Sequence, residues 1–150
     1  MSLMLQILLG SLLLCLCALI HAGAVALSLP GLIRPVRAVR RLGPRIKAMA
    51  LLSFSLVFIV AAHTIQIWLW ALVFFVMEVF EEFSTSFYFS IATYTTLGYG
   101  DVTLGPDLRV FGAFASATGL LTFGISTAFL FAAIERLMRG PANARRAPSE

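Results

Sequence analysis

Hydrophobic residues run along this chain in three long blocks, approximately Leu3 to Leu29, Ala48 to Met77 and Val110 to Ile134. Each exceeds the roughly 20 helical residues that cross a hydrocarbon core of about 30 Å. Between the second and third blocks lies a shorter, semi-apolar stretch, STSFYFSIATY, from Ser84 to Tyr94. Three helical turns are too few to cross a bilayer but enough for a re-entrant helix, with Ser84 placed to cap its N-terminus. The pattern predicts three spanning helices and one short helix that dips into the membrane and leaves it on the same side. Directly after the short helix comes TTLGYGD, from Thr95 to Asp101. Non-helical backbone at membrane depth survives only where protein buries it or it lines a water-filled path.

Composition narrows this to an integral membrane protein. Of 150 residues, 60% are hydrophobic and only 12% charged, and the mean hydropathy is +0.96. An ordinary soluble domain does not have such values. Cys15 and Cys17 lie two apart on one helix, point to different sides and cannot bridge each other. They read as small packing residues. There is no internal repeat, no nucleotide site, no catalytic set and no room for a soluble ligand-binding domain, so the chain reads as a non-enzyme with no nucleic-acid partner.

Charge sets the expected threading, because cytoplasmic loops collect Lys and Arg. Arg34, Arg37, Arg40, Arg41, Arg45 and Lys47 follow the first block without an acidic residue, and Arg136, Arg139, Arg145 and Arg146 follow the third. Between the second and third blocks stand Glu78, Glu81, Glu82, Asp101 and Asp107, with Arg109 the only basic residue. This predicts an outward N-terminus and a cytoplasmic C-terminus in the plasma membrane. A cleaved signal peptide ending near Ala24 is disfavoured: the start lacks a basic region, the apolar run is too long, and cleavage would leave the arginines outside. Arg34, Arg37 and Arg40 recur every third residue as in a voltage sensor, but no acidic partners stand in the spans, and Pro35 and Pro44 would interrupt a long helix. The segment reads instead as an interfacial linker, with Arg34, Arg37, Arg40 and Arg41 meeting anionic lipid headgroups.

In an ordinary strand successive carbonyls point to opposite sides; aiming several at one axis requires backbone that alternates in hand. Gly98 and Gly100, at alternate positions, tolerate that alternation. Four such segments around an axis would stack rings of carbonyl oxygens able to replace the water shell of a cation, and the C-terminal ends of four short helices would add negative potential. Residues 84–134 resemble the pore domain of the potassium channel family, whose filter reads Thr-Val-Gly-Tyr-Gly-Asp. Here the filter stretch is Thr96, Leu97, Gly98, Tyr99, Gly100 and Asp101.

The resemblance implies K+ bound by the carbonyls of Thr96, Leu97, Gly98 and Tyr99 and the Thr96 hydroxyl, and no other cofactor. Tyr88, Thr93 and Thr95 would support the filter. Tyr88 would hydrogen-bond Asp101. Phe89, where the family often has a second tryptophan, cannot donate to the Tyr99 hydroxyl, which leaves Thr93 as the expected partner. Leu97 replaces the usual Val or Ile, and Ala92 a carboxylate that some members carry. Gly119 stands at the family's bending glycine and serves as either hinge or packing residue; its register runs on through Phe123, Thr127 and Phe131, where an apolar constriction is expected. Gly112 with Ser116, Ala115 with Gly119 and Gly124 with Ala128 are small-residue pairs suited to close helix packing.

His21, His63, Thr64 and Gln66 are polar residues inside spans, expected to bond between helices, with proton sensing by His63 the alternative. Counting from the span ends puts His21 nearer the cytoplasmic side than His63, hence at a different depth. Trp68 and Trp70 are expected to pack against the short helix. The architecture expected is all-α: residues 1–47 a peripheral first helix and basic linker, 48–139 the pore domain, 140–150 a short tail, assembled as a homotetramer because one chain carries one filter segment. The expected function is passive, potassium-selective conduction. A nonselective cation channel is the near alternative; a cation-transporter subunit or a non-conducting accessory protein is the more distant one.

Overall fold

A computed structural model describes residues 1–38 and 43–138. It is built of four helices: α1 (Leu3–Ala38), α2 (Pro44–Val76), α3 (Phe83–Tyr94) and α4 (Arg109–Met138). Three helices are long and apolar enough to cross a membrane, over Leu3–Ser28, Leu52–Val76 and Arg109–Glu135. The prolines act differently from expectation. Helix α1 continues through Pro30 and Pro35 to Ala38 instead of ending near Leu29; the missing N–H and the clash of the ring with the carbonyl four residues back weaken a helix there without ending it. Pro44 does not interrupt a helix but starts α2, where a missing N–H costs nothing. Of the lipid site expected at Arg34, Arg37, Arg40 and Arg41, the first two fall on the last turns of α1, while Arg40, Arg41 and the tail from Gly140 lie outside the described residues.

Helix α1 runs parallel to α4. Gln6 Oε1 accepts from the Phe111 backbone N–H at 3.2 Å, and four turns further on His21 meets Ser126, again 105 residues apart in sequence. Between these points Gly10 lies against the Phe114 ring, where a Cβ would overlap it, so the two helices come this close only because position 10 has no side chain. Helix α2 runs antiparallel to both and ends in a Schellman motif. The Val79 N–H bonds the Phe74 carbonyl and the Glu78 N–H that of Phe75, with Glu78 itself left-handed at φ 54°. This turns the chain into α3.

Helix α3 begins one residue earlier than expected, so Ser84 is not its cap. Glu82 holds the cap position, where its carbonyl accepts from the Ser86 N–H, and the Ser84 hydroxyl donates to the Glu82 carboxylate at 2.9 Å. An aromatic core fixes α3 against its neighbours. Trp70 packs on Phe74 and Phe111, and Phe89 meets Phe74 edge-on with ring centroids 5.1 Å apart. Trp68 packs on Phe83 and Phe87 of α3 as expected; Trp70, however, turns to α4. Two of the small-residue pairs receive α3 or the loop after it: Gly112 faces Leu104 and Phe89, and Gly119 faces the Tyr94 carbonyl. Gly124 has nothing within 4 Å of where its Cβ would stand among the described residues.

Candidate functional site

The C-terminus of α3 and the loop after it carry the candidate site. Thr95 caps the helix, its N–H and its hydroxyl both reaching the Ile91 carbonyl. The loop then folds back on the last turn: the Thr96 N–H donates to the Thr93 carbonyl and the Gly98 N–H to that of Ala92, at 3.0 and 3.1 Å. Positive φ recurs at alternate residues, 59° at Thr96, 51° at Gly98 and 80° at Gly100, while Leu97 and Tyr99 between them stay negative. Alternation in hand is the geometry that turns successive carbonyls the same way. At Thr96 it costs roughly 1–2 kcal/mol, since only glycine adopts it freely. Residues 95–101 are exposed throughout, Leu97 at 52% and Tyr99 at 70%.

Asp101 ends the stretch. Tyr88 donates its hydroxyl to Asp101 Oδ2 at 2.6 Å, and the Val102 N–H donates to Oδ1 at 3.1 Å. The phenol bond holds the Asp101 carboxyl below its usual range and pushes the Tyr88 phenol up. Thr93 and Tyr99, expected partners, share no hydroxyl bond within the subunit, where the Tyr99 ring stands clear of the surface. Thr93 fastens the site through its backbone instead, its carbonyl accepting from Ser116 Oγ of α4 at 2.8 Å. Ser90 Oγ donates to the Ile67 carbonyl at 2.7 Å and ties α3 to α2.

Behind this last turn the four helices bring five polar side chains into a closed circuit. His21 Nε2 lies 2.8 Å from Ser126 Oγ, and Ser126 Oγ 3.0 Å from His63 Nε2. His63 Nδ1 is 2.9 Å from the Tyr94 hydroxyl, which donates to Gln66 Oε1 at 3.1 Å. Gln66 Nε2 returns to His21 Nδ1 at 3.0 Å. His21 and Gln66 are fully buried and His63 and Ser126 nearly so.

This overturns the expectation that the two histidines sit at different depths, for their ring centroids are 4.7 Å apart. Side chains lean toward the N-terminus of their own helix. On antiparallel helices His21 and His63 therefore lean toward each other, which brings their rings together. Gln66 does bond between helices; Thr64 instead bonds the Val60 carbonyl of its own helix. Tyr94, Thr122 and Ser126 were not singled out from the sequence. A usable signal was present: Thr118, Thr122 and Ser126 recur every fourth residue on an apolar helix, and all are buried.

The residues expected below the filter separate. Gly119 is a packing position, held against the Tyr94 carbonyl. Phe123 stacks on His63 at 4.5 Å and meets Tyr94 edge-on at 5.8 Å, leaving 38% of it exposed. Thr127 donates to the Phe123 carbonyl on an exposed face, and Phe131 is 70% exposed. Among the described residues no group of three or more His, Cys, Asp or Glu side chains is placed to hold a metal ion.

A family model described as "Ion channel" matches residues 51–136, which takes in most of α2, all of α3, the loop and most of α4, and leaves out α1. No curated protein and no solved structure matches the chain.

Proposed function

Because the chain belongs to the ion channel family, in the pore-domain type typical of potassium channels, we propose that it is a potassium-selective channel formed by four copies around one pore. The observation that carries this reading is the alternation of positive φ at Thr96, Gly98 and Gly100 in an exposed loop. Four such loops would present rings of carbonyls from Thr96, Leu97, Gly98 and Tyr99, with the Thr96 hydroxyl beneath, to a dehydrated K+ ion. The C-terminal ends of four α3 helices would add negative potential at the inner end of the filter. Exposure of Leu97 and Tyr99 fits an assembly in which neighbouring subunits cover the filter from behind. Glu78, Glu81, Glu82, Asp101 and Asp107, all at one end of the bundle, would raise the cation concentration at its mouth.

Purified protein in liposomes, with potassium on one side and sodium on the other, tests the reading through the reversal potential. A potential close to that of a potassium electrode is expected. One near zero, with current flowing, would make the pore a nonselective cation channel, and absence of current would make the chain an accessory subunit. Gly98→Ala puts a Cβ on a residue at φ 51° and forces a strain of roughly 1–2 kcal/mol in each of four copies. Loss of potassium current is expected in that variant; current equal to wild type would place the filter elsewhere.

A further inference from the structure

We propose that the ring formed by His21, Ser126, His63, Tyr94 and Gln66 positions the filter from behind, and that α1, which lies outside the family-matched residues, is present to complete it through His21. This rests on the reading of Thr96 to Gly100 as the filter.

The hydrogens in the ring can be assigned one by one. Gln66 Nε2 bonds the Ala62 carbonyl at 3.2 Å as well as His21 Nδ1. A carbonyl only accepts, so the amide nitrogen is fixed on that side and His21 Nδ1 is an acceptor. His21 then carries its hydrogen on Nε2 and donates it to Ser126 Oγ. At the other end of the amide, Gln66 Oε1 takes the Tyr94 hydroxyl hydrogen. With that hydrogen committed, the Tyr94 oxygen accepts from His63 Nδ1–H, and the Ser126 hydroxyl hydrogen is shared between His63 Nε2 at 3.0 Å and the Thr122 carbonyl at 2.9 Å. The circuit then runs in one direction with both imidazoles neutral, while Gln66 and Ser126 also donate outside it, to the Ala62 and Thr122 carbonyls. Such a chain is cooperative, each bond polarising the next. Thr122 Oγ1 lies 2.8 Å from the Tyr94 hydroxyl and also donates to the Thr118 and Gly119 carbonyls of its own helix.

Each of the four helices contributes, and the contribution of α3 is what makes the ring bear on conduction. Tyr94 is the last residue of α3, two before the left-handed Thr96. Its side chain is held by the ring, and its carbonyl rests on Gly119, where no Cβ could stand. A turn of α3 about its axis would break ring bonds at one end of Tyr94 and that contact at the other. On the loop's own side the fastening is thin: Tyr88 to Asp101 is an exposed bond, and Ala92 offers no polar side chain. His21, His63, Gln66 and Ser126 are therefore positioning residues acting on the filter through Tyr94.

The test compares His21→Gln with His21→Leu in the full-length protein. A glutamine can still accept from Gln66 and donate to Ser126; a leucine can do neither. Each variant is checked for assembly by size-exclusion chromatography, and its potassium-to-sodium permeability ratio is measured in liposomes. His21→Leu is expected to lower the ratio about three- to tenfold, the range for one interhelical hydrogen bond in a membrane, with His21→Gln close to wild type. Should His21→Leu fail to assemble, Tyr94→Phe, which removes only the hydroxyl, is expected to give the same loss. An assembled His21→Leu or Tyr94→Phe channel with the wild-type ratio would overturn the proposal, even if its melting temperature fell, because helix adhesion alone leaves selectivity untouched. Wild-type protein that conducts without selecting potassium would instead overturn the filter reading on which the proposal rests.

Discussion

Asp101 carries its charge at the exposed end of the loop, and one phenol decides how readily that charge is lost. The Tyr88 hydroxyl bonds the ionised carboxylate and holds its pKa below the usual carboxylate range. The fastening it provides is therefore fully present above the ordinary aspartate value of about 3.9 and is lost as pH falls through the lowered value. Tyr88→Phe removes the donor and lets the Asp101 pKa rise back toward the ordinary value. Potassium current recorded while the Asp101 side is acidified should then decline at a higher pH in Tyr88→Phe than in wild type. Identical acid profiles would show that this bond does not hold the loop. At this scale the sequence was most informative where the chemistry is local. The glycine alternation could be read from the residues of the loop alone, and the pairing of Tyr88 with Asp101 followed from the family resemblance of the stretch that holds both. The circuit through Tyr94 could not, because it depends on how four helices lie in depth, which residue counts within each span do not give.

Helix α4 divides its surface between two tasks. Four residues advance an α-helix by about 400°, so successive i+4 positions drift by roughly 40°. Gly119, Phe123, Thr127 and Phe131 therefore do not share one face; Phe131 lies about 120° round from Gly119. The drift accounts for their differing surroundings, with Gly119 against Tyr94, Phe123 between His63 and solvent, and Thr127 and Phe131 exposed. Position 119 thus packs α4 on α3, while the exposed residues are free to line a pore. Four Phe131 rings at the narrow end of such a pore would form an apolar constriction that excludes water and blocks ions. Phe131→Ala is expected to raise open probability and leave the permeability ratio unchanged, since the filter lies several turns away. Single-channel recording distinguishes the cases, and an unaltered open probability would move the gate from α4 to the filter. The helices themselves were legible from apolar run lengths. The continuation of α1 through Pro30 and Pro35 was not, because a proline's cost in a helix depends on what surrounds it.

The chain as a whole is a helical bundle with three helices long and apolar enough to cross a membrane, and two independent features predict its threading. Packing fixes relative direction: the contact from Gln6 to Phe111 and that from His21 to Ser126 have the same sequence offset of 105, so α1 and α4 are parallel and their N-termini lie at the same end as the α2–α3 turn. Charge predicts the absolute direction, because the basic residues gather at the opposite end of the bundle. Residues 2 and 105 should therefore be extracellular and residue 43 cytoplasmic. In a chain with Cys15 and Cys17 replaced by alanine, Ser2→Cys and Gly105→Cys should react with a membrane-impermeant maleimide added to intact cells, and Gly43→Cys only after the membrane is opened. Labelling of all three from one side would contradict the bundle itself, since α1 and α2 are antiparallel. The inverse pattern, with Gly43→Cys alone reacting in intact cells, would keep the bundle but reverse it in the membrane. The acidic mouth and the filter entrance would then face the cytoplasm, and the arginines of the first connection would lie outside, away from the anionic lipids of the inner leaflet.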